Sequence, residues 1–377
     1  MQHGRKRLTC LSLIGLIWAG SAVSSSALMR WNEGKDQVHI VATAAWMYDS
    51  NIYTNTNAEV DNITRGSIAA QYRRHAGLIG INADVGVSIA NFSENVDESF
   101  NNPNMRLELT KDTGRTTGTL GFTGVRSSRA DPAVNMRTDS WNYGSELRLK
   151  YPVSERNSFS GGVDWKRQDY TDNTFLVDIE TTSLSADWFY VFTEERDLFG
   201  GYRLRLSDTS AGNSFADHSI SGGIAGRLIR GLNGTARIGY QTRTDRLGIE
   251  DDFSGFSASI SATWNLSRTA AISGRLTRDL NVTSTNISTD VTTAGLDFQY
   301  ARSAKLVFSA GASAGLTRFL GQGGDDREDT YFSAYGRVAY TFSEHLTLSA
   351  SYTYFQNWST QSFSDFERDS ITFDASS

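Results

Sequence analysis

Apolar and polar side chains alternate along nearly the whole chain after residue 28. In residues 77–92 the odd positions are mainly Ile, Val and Ala, whereas the even positions include Asn, Asp and Ser. In residues 139–151 Trp, Tyr and Leu share one face, and Asn, Glu, Arg and Lys share the other. Because successive side chains of a β-strand point to opposite faces of the sheet, this period of two predicts strands with one apolar and one polar face.

The chain contains eighteen segments of this kind. Their predicted spans are 38–53, 63–74, 77–92, 105–112, 116–128, 139–151, 158–169, 179–193, 198–208, 217–229, 234–245, 255–266, 271–280, 289–300, 305–317, 330–342, 347–357 and 367–377. Many reach about ten residues, the length that a tilted strand needs to cross a bilayer. The connections are alternately short and long, which is typical of outer-membrane barrels with short periplasmic turns and longer extracellular loops. The predicted fold class is therefore all-β, a transmembrane antiparallel outer-membrane β-barrel of about 18 strands, with 16 as the alternative.

A secreted soluble β-sandwich or propeller also has alternating strands and is the competing fold. A sandwich buries its apolar face in a core that favours Val, Ile and Leu. Here many apolar faces end in aromatic residues, as in Trp188, Tyr190 and Phe192, which suits the interfacial girdles of a membrane barrel. The chain has only 3 prolines, in keeping with strands whose N–H groups are all needed for pairing.

The N-terminus has the features of a secretory signal peptide. Residues 5–7 are Arg-Lys-Arg, residues 8–23 are mostly apolar, and small residues precede a cleavage site near Ala27. A single membrane anchor fits less well, because the apolar stretch is short and contains glycine. The predicted division is a signal peptide over 1–27, a short periplasmic segment over 28–37 and a single barrel domain over 38–377. The predicted location is the outer membrane of a Gram-negative bacterium, reached by Sec-dependent export.

Composition excludes several other classes of protein. The chain carries 36 Lys+Arg against 42 Asp+Glu, a formal net charge of −6, so a broadly basic nucleic-acid binder is not expected. The one cysteine, Cys10, falls in the predicted signal peptide, which leaves the mature chain without a disulfide or a thiol ligand. The sequence shows no histidine cluster with metal-ligand spacing and no glycine-rich phosphate loop, so no metal and no cofactor are predicted.

A short motif ends the first predicted strand. It reads Tyr48-Asp49-Ser50-Asn51-Ile52-Tyr53, followed by a loop rich in Thr and Asn and by Asp61-Asn62-Ile63-Thr64. The motif resembles the opening strand of the bacterial putative β-barrel porins, and the strand-and-loop pattern resembles that family over residues 38–377. Membership implies an outer-membrane barrel and, since such barrels are often encoded beside exopolysaccharide-export genes, a conduit for polysaccharide. Asp49 and Asn51 have another explanation, since both residue types turn a chain out of a strand.

The polar face of each strand is assigned to the barrel interior. The cations predicted there are Arg65, Arg73, Arg106, Arg148, Lys150, Lys166, Arg203, Arg205, Arg237, Arg243, Arg275 and Arg337. The anions predicted there are Asp84, Glu108, Glu146, Asp164, Asp187, Asp279 and Asp297. Charged pore walls bias permeation by sign, so this basic balance favours polar or anionic solutes, including sugar polymers. The alternative is that opposite charges pair across neighbouring strands and only hydrate the wall.

Three functions remain open from the sequence alone. The first is a porin-like channel for passive passage, or a polysaccharide conduit that would need an export machinery supplied by other proteins. The second is a structural or surface-interaction barrel with a plugged lumen and no transport. The third, an enzyme, is not expected, because adjacent side chains in Asp217-His218-Ser219 point to opposite faces and form no local triad.

Outer-membrane lipids and lipopolysaccharide are the partners predicted for the outer face. Arg126, Arg167 and Arg278 are predicted to point outward near the loop ends of their strands. A guanidinium group there suits a lipopolysaccharide phosphate, with which it can form two parallel hydrogen bonds. Snorkelling of a long side chain to the interface is the alternative.

Overall fold

A computed structural model describes residues 29–75, 77–171, 175–248, 252–321 and 327–377. The predicted signal peptide, residues 1–27, lies outside the described residues. The chain forms one antiparallel sheet in which consecutive strands pair and the last strand pairs with the first long one, which closes an 18-stranded barrel. The predicted fold class is confirmed. Among the described residues, no helix is both long and apolar enough to cross a bilayer.

The barrel strands follow one another around the ring in chain order. They are β2 (Asp36–Asp49), β3 (Asp61–Arg74), β4 (Gly80–Phe92), β5 (Phe100–Lys111), β6 (Thr117–Asp131), β7 (Met136–Pro152), β8 (Asn157–Thr171), β9 (Ile179–Thr193), β10 (Arg196–Thr209), β11 (Ser214–Ile229), β12 (Leu232–Asp245), β13 (Phe253–Asn265), β14 (Ala270–Val282), β15 (Ser288–Ala301), β16 (Leu306–Leu320), β17 (Glu328–Ser343), β18 (Leu346–Ser359) and β19 (Phe366–Ser376). A short strand, β1 (Met29–Trp31), pairs with the start of β2 and lies within the segment predicted to precede the barrel. Two single 3-10 turns, Val96–Glu98 and Ser362–Ser364, lie in loops.

The ring closes where β19 pairs with β2, from Ser370↔Asp49 to Ser376↔Thr43. Closure gives the backbone N–H and C=O groups of both edges a partner, which the hydrocarbon of a bilayer cannot supply. The short turns, such as residues 194–195, lie at one end of the barrel, which we call the turn end. The connections that include residues 50–60 lie at the other, the loop end. In outer-membrane barrels the turn end faces the periplasm and the loop end faces the exterior.

The outer face is apolar, as the alternation predicts. Ile220 is 70% exposed and Leu296 is 63% exposed, which suits contact with lipid rather than with a protein core. Aromatic side chains of the outer face gather near the turn end as well as near the loops. Those near the turn end include Tyr151, Trp188, Trp264, Tyr300 and Tyr340. They form the interfacial girdle that the sequence predicts.

The strands reach further toward the loop end than predicted. The loop expected over residues 129–138 is reduced to 132–135, and the one expected over 209–216 is reduced to 210–213. The ladder continues there beyond the apolar band, where the outer face becomes polar and the alternation signal fades. At the first strand the difference is reversed, because β2 ends at Asp49 and not at residue 53.

One glycine of the inner wall allows a contact that a larger residue would block. Gly311 on β16 lies between Asp297 on β15 and Tyr335 on β17, and a Cβ atom at this position would collide with both side chains. The Tyr335 hydroxyl therefore donates across β16 to Asp297 Oδ1 at 2.7 Å.

Candidate functional site: the barrel lumen

Contacts between strands that are not neighbours identify the interior. Arg203 on β10 donates to both carboxylate oxygens of Asp279 on β14, at 2.8 and 3.1 Å. Arg237 on β12 donates to Asp187 on β9 at 2.8 Å. Three strands lie between Arg203 and Asp279 along the sheet, and two strands lie between Arg237 and Asp187. Side chains so far apart in the sheet can meet only on its concave side. The alternation then places the remaining polar faces inside as well.

Most predicted inward charges of the turn half form ion pairs and stay accessible to solvent. Arg148 pairs with Asp164 at 2.7 Å and with Glu146 at 3.3 Å, and its side chain is 53% exposed. The other pairs of this kind are Arg106 with Glu108 at 2.8 Å, Arg73 with Asp84 at 3.8 Å and Arg337 with Asp374 at 3.2 Å. Along much of this wall, opposite charges therefore pair with each other, as the alternative interpretation of the inner face holds.

Three predicted cations of the inner wall are exposed and also lack an ion pair among the described residues. Lys150 on β7, Lys166 on β8 and Arg275 on β14 form no ion pair with any carboxylate in the part of the chain that the structure describes, and all three are exposed. The Lys150 ammonium lies 4.8 Å from the centre of the Phe189 ring, whose face attracts a cation without neutralising it. These side chains supply positive charge to the lumen that the wall itself does not balance.

The loop half of the lumen holds a buried charge cluster, made of Arg203, Arg205, Asp217, Arg243 and Asp279. Arg243 donates to both oxygens of Asp217, at 2.7 and 2.8 Å, and Arg205 bridges Asp217 at 2.7 Å and Asp279 at 3.1 Å. The side chains of Asp217 and Arg243 are only 1% and 3% exposed. The cluster ties β10, β11 and β12 to β14 and fills this part of the lumen.

Backbone carbonyls complete the coordination of the same arginines. Arg205 donates to the Leu280 carbonyl at 2.6 Å and Arg243 to the Asn281 carbonyl at 2.9 Å, both at the loop end of β14. Beside the cluster, Gln241 is 1% exposed and neither amide atom has a hydrogen-bond partner among the described residues. A buried amide without partners is costly, so water is expected to hydrate Gln241 in the membrane-embedded protein.

The first-strand motif lies at the seam between β2 and β19. Asp49 is buried and receives two hydrogen bonds from Arg368, at 2.7 and 2.6 Å. The Asn51 amide donates to the Asn55 carbonyl at 2.8 Å and to the Glu367 carbonyl at 3.2 Å. The motif therefore turns the chain out of β2, as its alternative explanation holds, and also fastens the two edges of the barrel.

Tyr53, in the loop that follows the motif, remains a neutral hydrogen-bond donor. Burial raises the pKa of Tyr53 to about 12, and the nearby Glu98 carboxylate acts in the same direction. Its hydroxyl faces the Asn95 side-chain oxygen at 3.5 Å. The loop over residues 50–60 is thereby held against the neighbouring loop over 93–99.

The loop end is bridged by the connection between β6 and β7, residues 132–135, which we call the β6–β7 tip. Arg327, just before β17 on the far side of the ring, donates to the Pro132 carbonyl at 3.1 Å and to the Ala133 carbonyl at 3.0 Å. Asn135 donates to the Thr54 carbonyl at 2.7 Å and accepts from the Ser364 hydroxyl at 2.5 Å. The tip thus contacts three other loops across the mouth of the barrel.

Exposure of the inner wall changes along the barrel axis. Inward charges of the turn half, such as Arg106 and Arg148, are half exposed, whereas Asp49, Asp217 and Arg368 of the loop half are buried. The inner wall is therefore exposed to solvent toward the turn end and packed toward the loop end. The structure groups the predicted lumen residues into an open vestibule and a constriction.

Sequence reasoning missed several residues of the constriction. Asp217 falls at the first position of its predicted strand, and Arg137 falls in a predicted loop, so neither was assigned to the inner face. Arg327 lies beside a predicted strand and contacts residues almost 200 positions away. A longer alternation window would have found Asp217, but no local signal identifies Arg327.

The structure separates the three residues Asp217, His218 and Ser219. His218 lies on the outer face, where its Nδ1 is 2.6 Å from the Tyr202 hydroxyl, whereas Asp217 and Ser219 point inward. Within the described ranges, no group of three or more His, Cys, Asp or Glu side chains is arranged to hold a metal ion.

The fold defines the class of protein, an 18-stranded β-barrel similar in structure to outer-membrane porins. OpdL of Pseudomonas aeruginosa has the same fold, with 12% identity, coverage of 91% of this chain and 98% of that chain, and a TM-score of 0.51. OccK5 (OpdH) of the same organism has 10% identity, coverage of 91% and 97%, and a TM-score of 0.50. The search of curated proteins found no match.

Residues 218–376 match the family described as "Putative beta-barrel porin 2". This match confirms the resemblance predicted from the sequence. It runs from β11 to the end of β19 and therefore contains Arg243, Asp279 and Arg368, but not the first-strand motif with which Arg368 pairs.

Proposed function

We propose that this protein is an outer-membrane channel for the passive passage of small polar and anionic solutes. The observation that carries the proposal is the set of exposed, unpaired inward cations of the lumen, Lys150, Lys166 and Arg275. Fixed wall charges bias permeation by sign, and the other charges of the vestibule largely balance one another. The family match points to a channel rather than an enzyme.

Ion selectivity in planar bilayers tests this proposal. In a potassium chloride gradient we expect the wild-type channel to prefer chloride, and the triple variant Lys150→Gln, Lys166→Gln, Arg275→Gln to lose most of that preference. A unit charge about 8 Å from a passing ion in water contributes about 0.5 kcal/mol, or roughly a twofold change in permeability per charge. Cation selectivity of the wild-type channel would refute the anion preference.

A matched control removes the same charge elsewhere. Arg156, Arg302 and Lys305 lie in turns at the turn end, outside the wall of the lumen. Replacing all three with glutamine changes the net charge equally, and we expect the selectivity to stay near that of the wild type. An equal loss of selectivity in both triple variants would mean that net charge, and not the inner wall of the lumen, sets the preference.

An exported polysaccharide is a second solute class, implied by the family resemblance. A polymer would need a continuous opening, whereas the β6–β7 tip contacts loops on the far side of the mouth. Polymer passage therefore requires the tip to move, and coupling to an export machinery requires other proteins. Blockage of ion current by dextran added at the turn end would support this extension of the proposal.

A plugged barrel that serves a surface interaction is the second candidate function. The packed loop half and the bridging contacts of Arg327 and Asn135 favour it. It differs from the channel in one measurement, since a plugged barrel shows no conductance in a reconstituted bilayer. Wild-type conductance therefore decides between the two candidates.

Lipopolysaccharide is the partner we propose for the outer face at the loop end. Arg126, Arg167 and Arg278 lie there, paired with Asp139, Asp169 and Asp290 at 2.6 to 2.7 Å. Phosphate groups can share these guanidinium groups, since arginine has five N–H donors. We expect the triple glutamine variant to retain less lipopolysaccharide on purification, measured by mass spectrometry. Equal retention would favour simple snorkelling.

A further inference from the structure

We infer that the β6–β7 hairpin is a hinged gate at the extracellular mouth, and that Arg327 and Asn135 are positioning residues that hold it closed. This inference rests on the proposed channel function and identifies the element that would control it. The observation behind it is that the β6–β7 tip reaches from one side of the ring to loops on the other side.

The hairpin extends beyond both of its neighbours. Pairing of β5 with β6 reaches Asn104↔Val125, and pairing of β7 with β8 reaches Asp139↔Thr171. In contrast, β6 and β7 pair with each other to Asp131↔Met136 at the tip. Within the described residues, the last part of this hairpin is therefore a two-stranded ribbon without a third strand on either side.

A two-stranded ribbon has little stability of its own, so its position depends on what holds its two ends. At the base, the ribbon is held by the ladders with β5 and β8. Near the tip, Arg137 pairs with Glu98 at 2.9 Å, and its guanidinium lies over the Phe92 ring at 4.8 Å. The contacts of the hairpin end with the far side are hydrogen bonds, including one from the Ser284 hydroxyl to Asp131 at 3.2 Å. The ribbon is therefore anchored at its base, and hydrogen bonds that can break and re-form hold its tip. We call these hydrogen bonds the latch.

Arg327 is the main part of the latch. Its guanidinium donates to two successive carbonyls of the tip and pairs with Asp329 at 2.7 Å. It also lies over the Phe319 ring at 4.2 Å, so its direction is set from the β16–β17 side. A lysine keeps the charge but lacks the planar fork that reaches two carbonyls at once.

Asn135 is the second part of the latch, and its backbone makes it a clean test position. Its φ of 53° lies in the left-handed region, which glycine adopts without cost. Asn135→Gly therefore removes both side-chain contacts, with Thr54 and Ser364, without straining the turn. The pair of Arg137 with Glu98 is left in place.

The test measures current and hairpin mobility in the same variants. We expect Arg327→Ala and Asn135→Gly to raise the open probability in planar bilayers about tenfold, which corresponds to about 1.4 kcal/mol. Arg327→Lys should fall between Arg327→Ala and the wild type. A nitroxide label on Val134→Cys should become more mobile in both opening variants, and the signal is specific because the only other cysteine is Cys10.

Arg318→Ala is the matched control. Arg318 lies at the loop end of β16, on the outer face, and pairs with Glu328 at 2.9 Å. It removes the same kind of side chain near the same loop but outside the mouth, so both current and label mobility should match the wild type.

The outcomes separate the gate from the channel. The gate is refuted if the label is no more mobile in Arg327→Ala and Asn135→Gly than in the wild type. It is also refuted if the label becomes more mobile while the current of a conducting protein stays the same. Neither result contradicts the proposed channel function. If the label becomes more mobile but neither the wild type nor any variant conducts current, both the channel and the gate are refuted. Higher current with higher mobility in Arg327→Ala and Asn135→Gly, but not in Arg318→Ala, supports the inference.

Discussion

Replacing Asp217 with asparagine should destabilise the folded barrel by about 3 kcal/mol, as expected when one partner of a buried ion pair is removed. Asp217 is shared by Arg205 and Arg243, and none of the three has more than slight exposure. Asparagine keeps the size and one acceptor oxygen but loses the charge. Two arginines then remain inside the constriction with too little negative charge, and Asp279 becomes the remaining carboxylate of the charge cluster. Urea unfolding of the protein in lipid vesicles measures the loss.

The control for this prediction is a neighbouring ion pair that solvent reaches. Asp208, at the end of β10, pairs with Arg246 at 3.3 Å, and both side chains are about half exposed. Such pairs contribute roughly 0–1 kcal/mol, so Asp208→Asn should change the unfolding free energy little. The double variant Asp217→Asn, Arg243→Gln should recover part of the loss, because it removes one uncompensated charge. An equal effect of Asp217→Asn and Asp208→Asn would contradict the assignment of a buried cluster.

The strands and their faces are predictable from the sequence, because a period of two is a local property. Arg148 and Asp164 share the inner face in prediction and structure alike, since each is placed by its immediate neighbours. The strand ends at the loop side are less predictable. Beyond the lipid the outer face of β6 and β7 carries Arg126 and Asp139, so the apolar half of the pattern disappears although the ladder continues.

The constriction is not predictable in the same way, because it depends on which walls approach each other. Arg203 and Asp279 were both assigned to the inner face, but their pairing depends on the curvature of the sheet between β10 and β14. The contact of Arg327 with the β6–β7 tip depends on how far one hairpin leans across the mouth. These distances depend on the shape of the whole barrel, and the sequence of a single strand does not determine them.

The seam between β2 and β19 should be as sensitive as the charge cluster, and for a related reason. Its pairing covers Ser370–Ser376 on a strand of 11 residues and joins segments from opposite ends of the chain. The buried pair Asp49–Arg368 holds the loop end of this seam, and the Ser50 hydroxyl accepts a hydrogen bond from the Asp369 N–H at 3.0 Å. The rest of the barrel lies between β2 and β19 in the chain, so their pairing closes a long loop. Closing a long loop costs conformational entropy.

We expect Asp49→Asn to cost about 3 kcal/mol and to slow barrel closure, because it leaves Arg368 buried without its carboxylate. The fraction of compact barrel after refolding into detergent, read from the mobility difference between unheated and heated samples on a gel, measures closure. Asp139→Asn is the matched control, since its partner Arg126 lies on the adjacent strand across a short connection. There the ion pair is partly exposed, and a change of at most about 1 kcal/mol is expected.

A disulfide across the seam distinguishes failed closure from general loss of stability. Ala44 and Ala375 are register partners on the outer face of β2 and β19, so cysteines at these positions can link the two edges. Under oxidising conditions the double cysteine variant should restore the compact form to Asp49→Asn, because the covalent link replaces the lost fastening. It should not restore Asp217→Asn, whose defect lies between strands that are already connected. Recovery of both variants would mean that the disulfide stabilises the barrel in general. It would contradict the specific role of Asp49 in closing the seam.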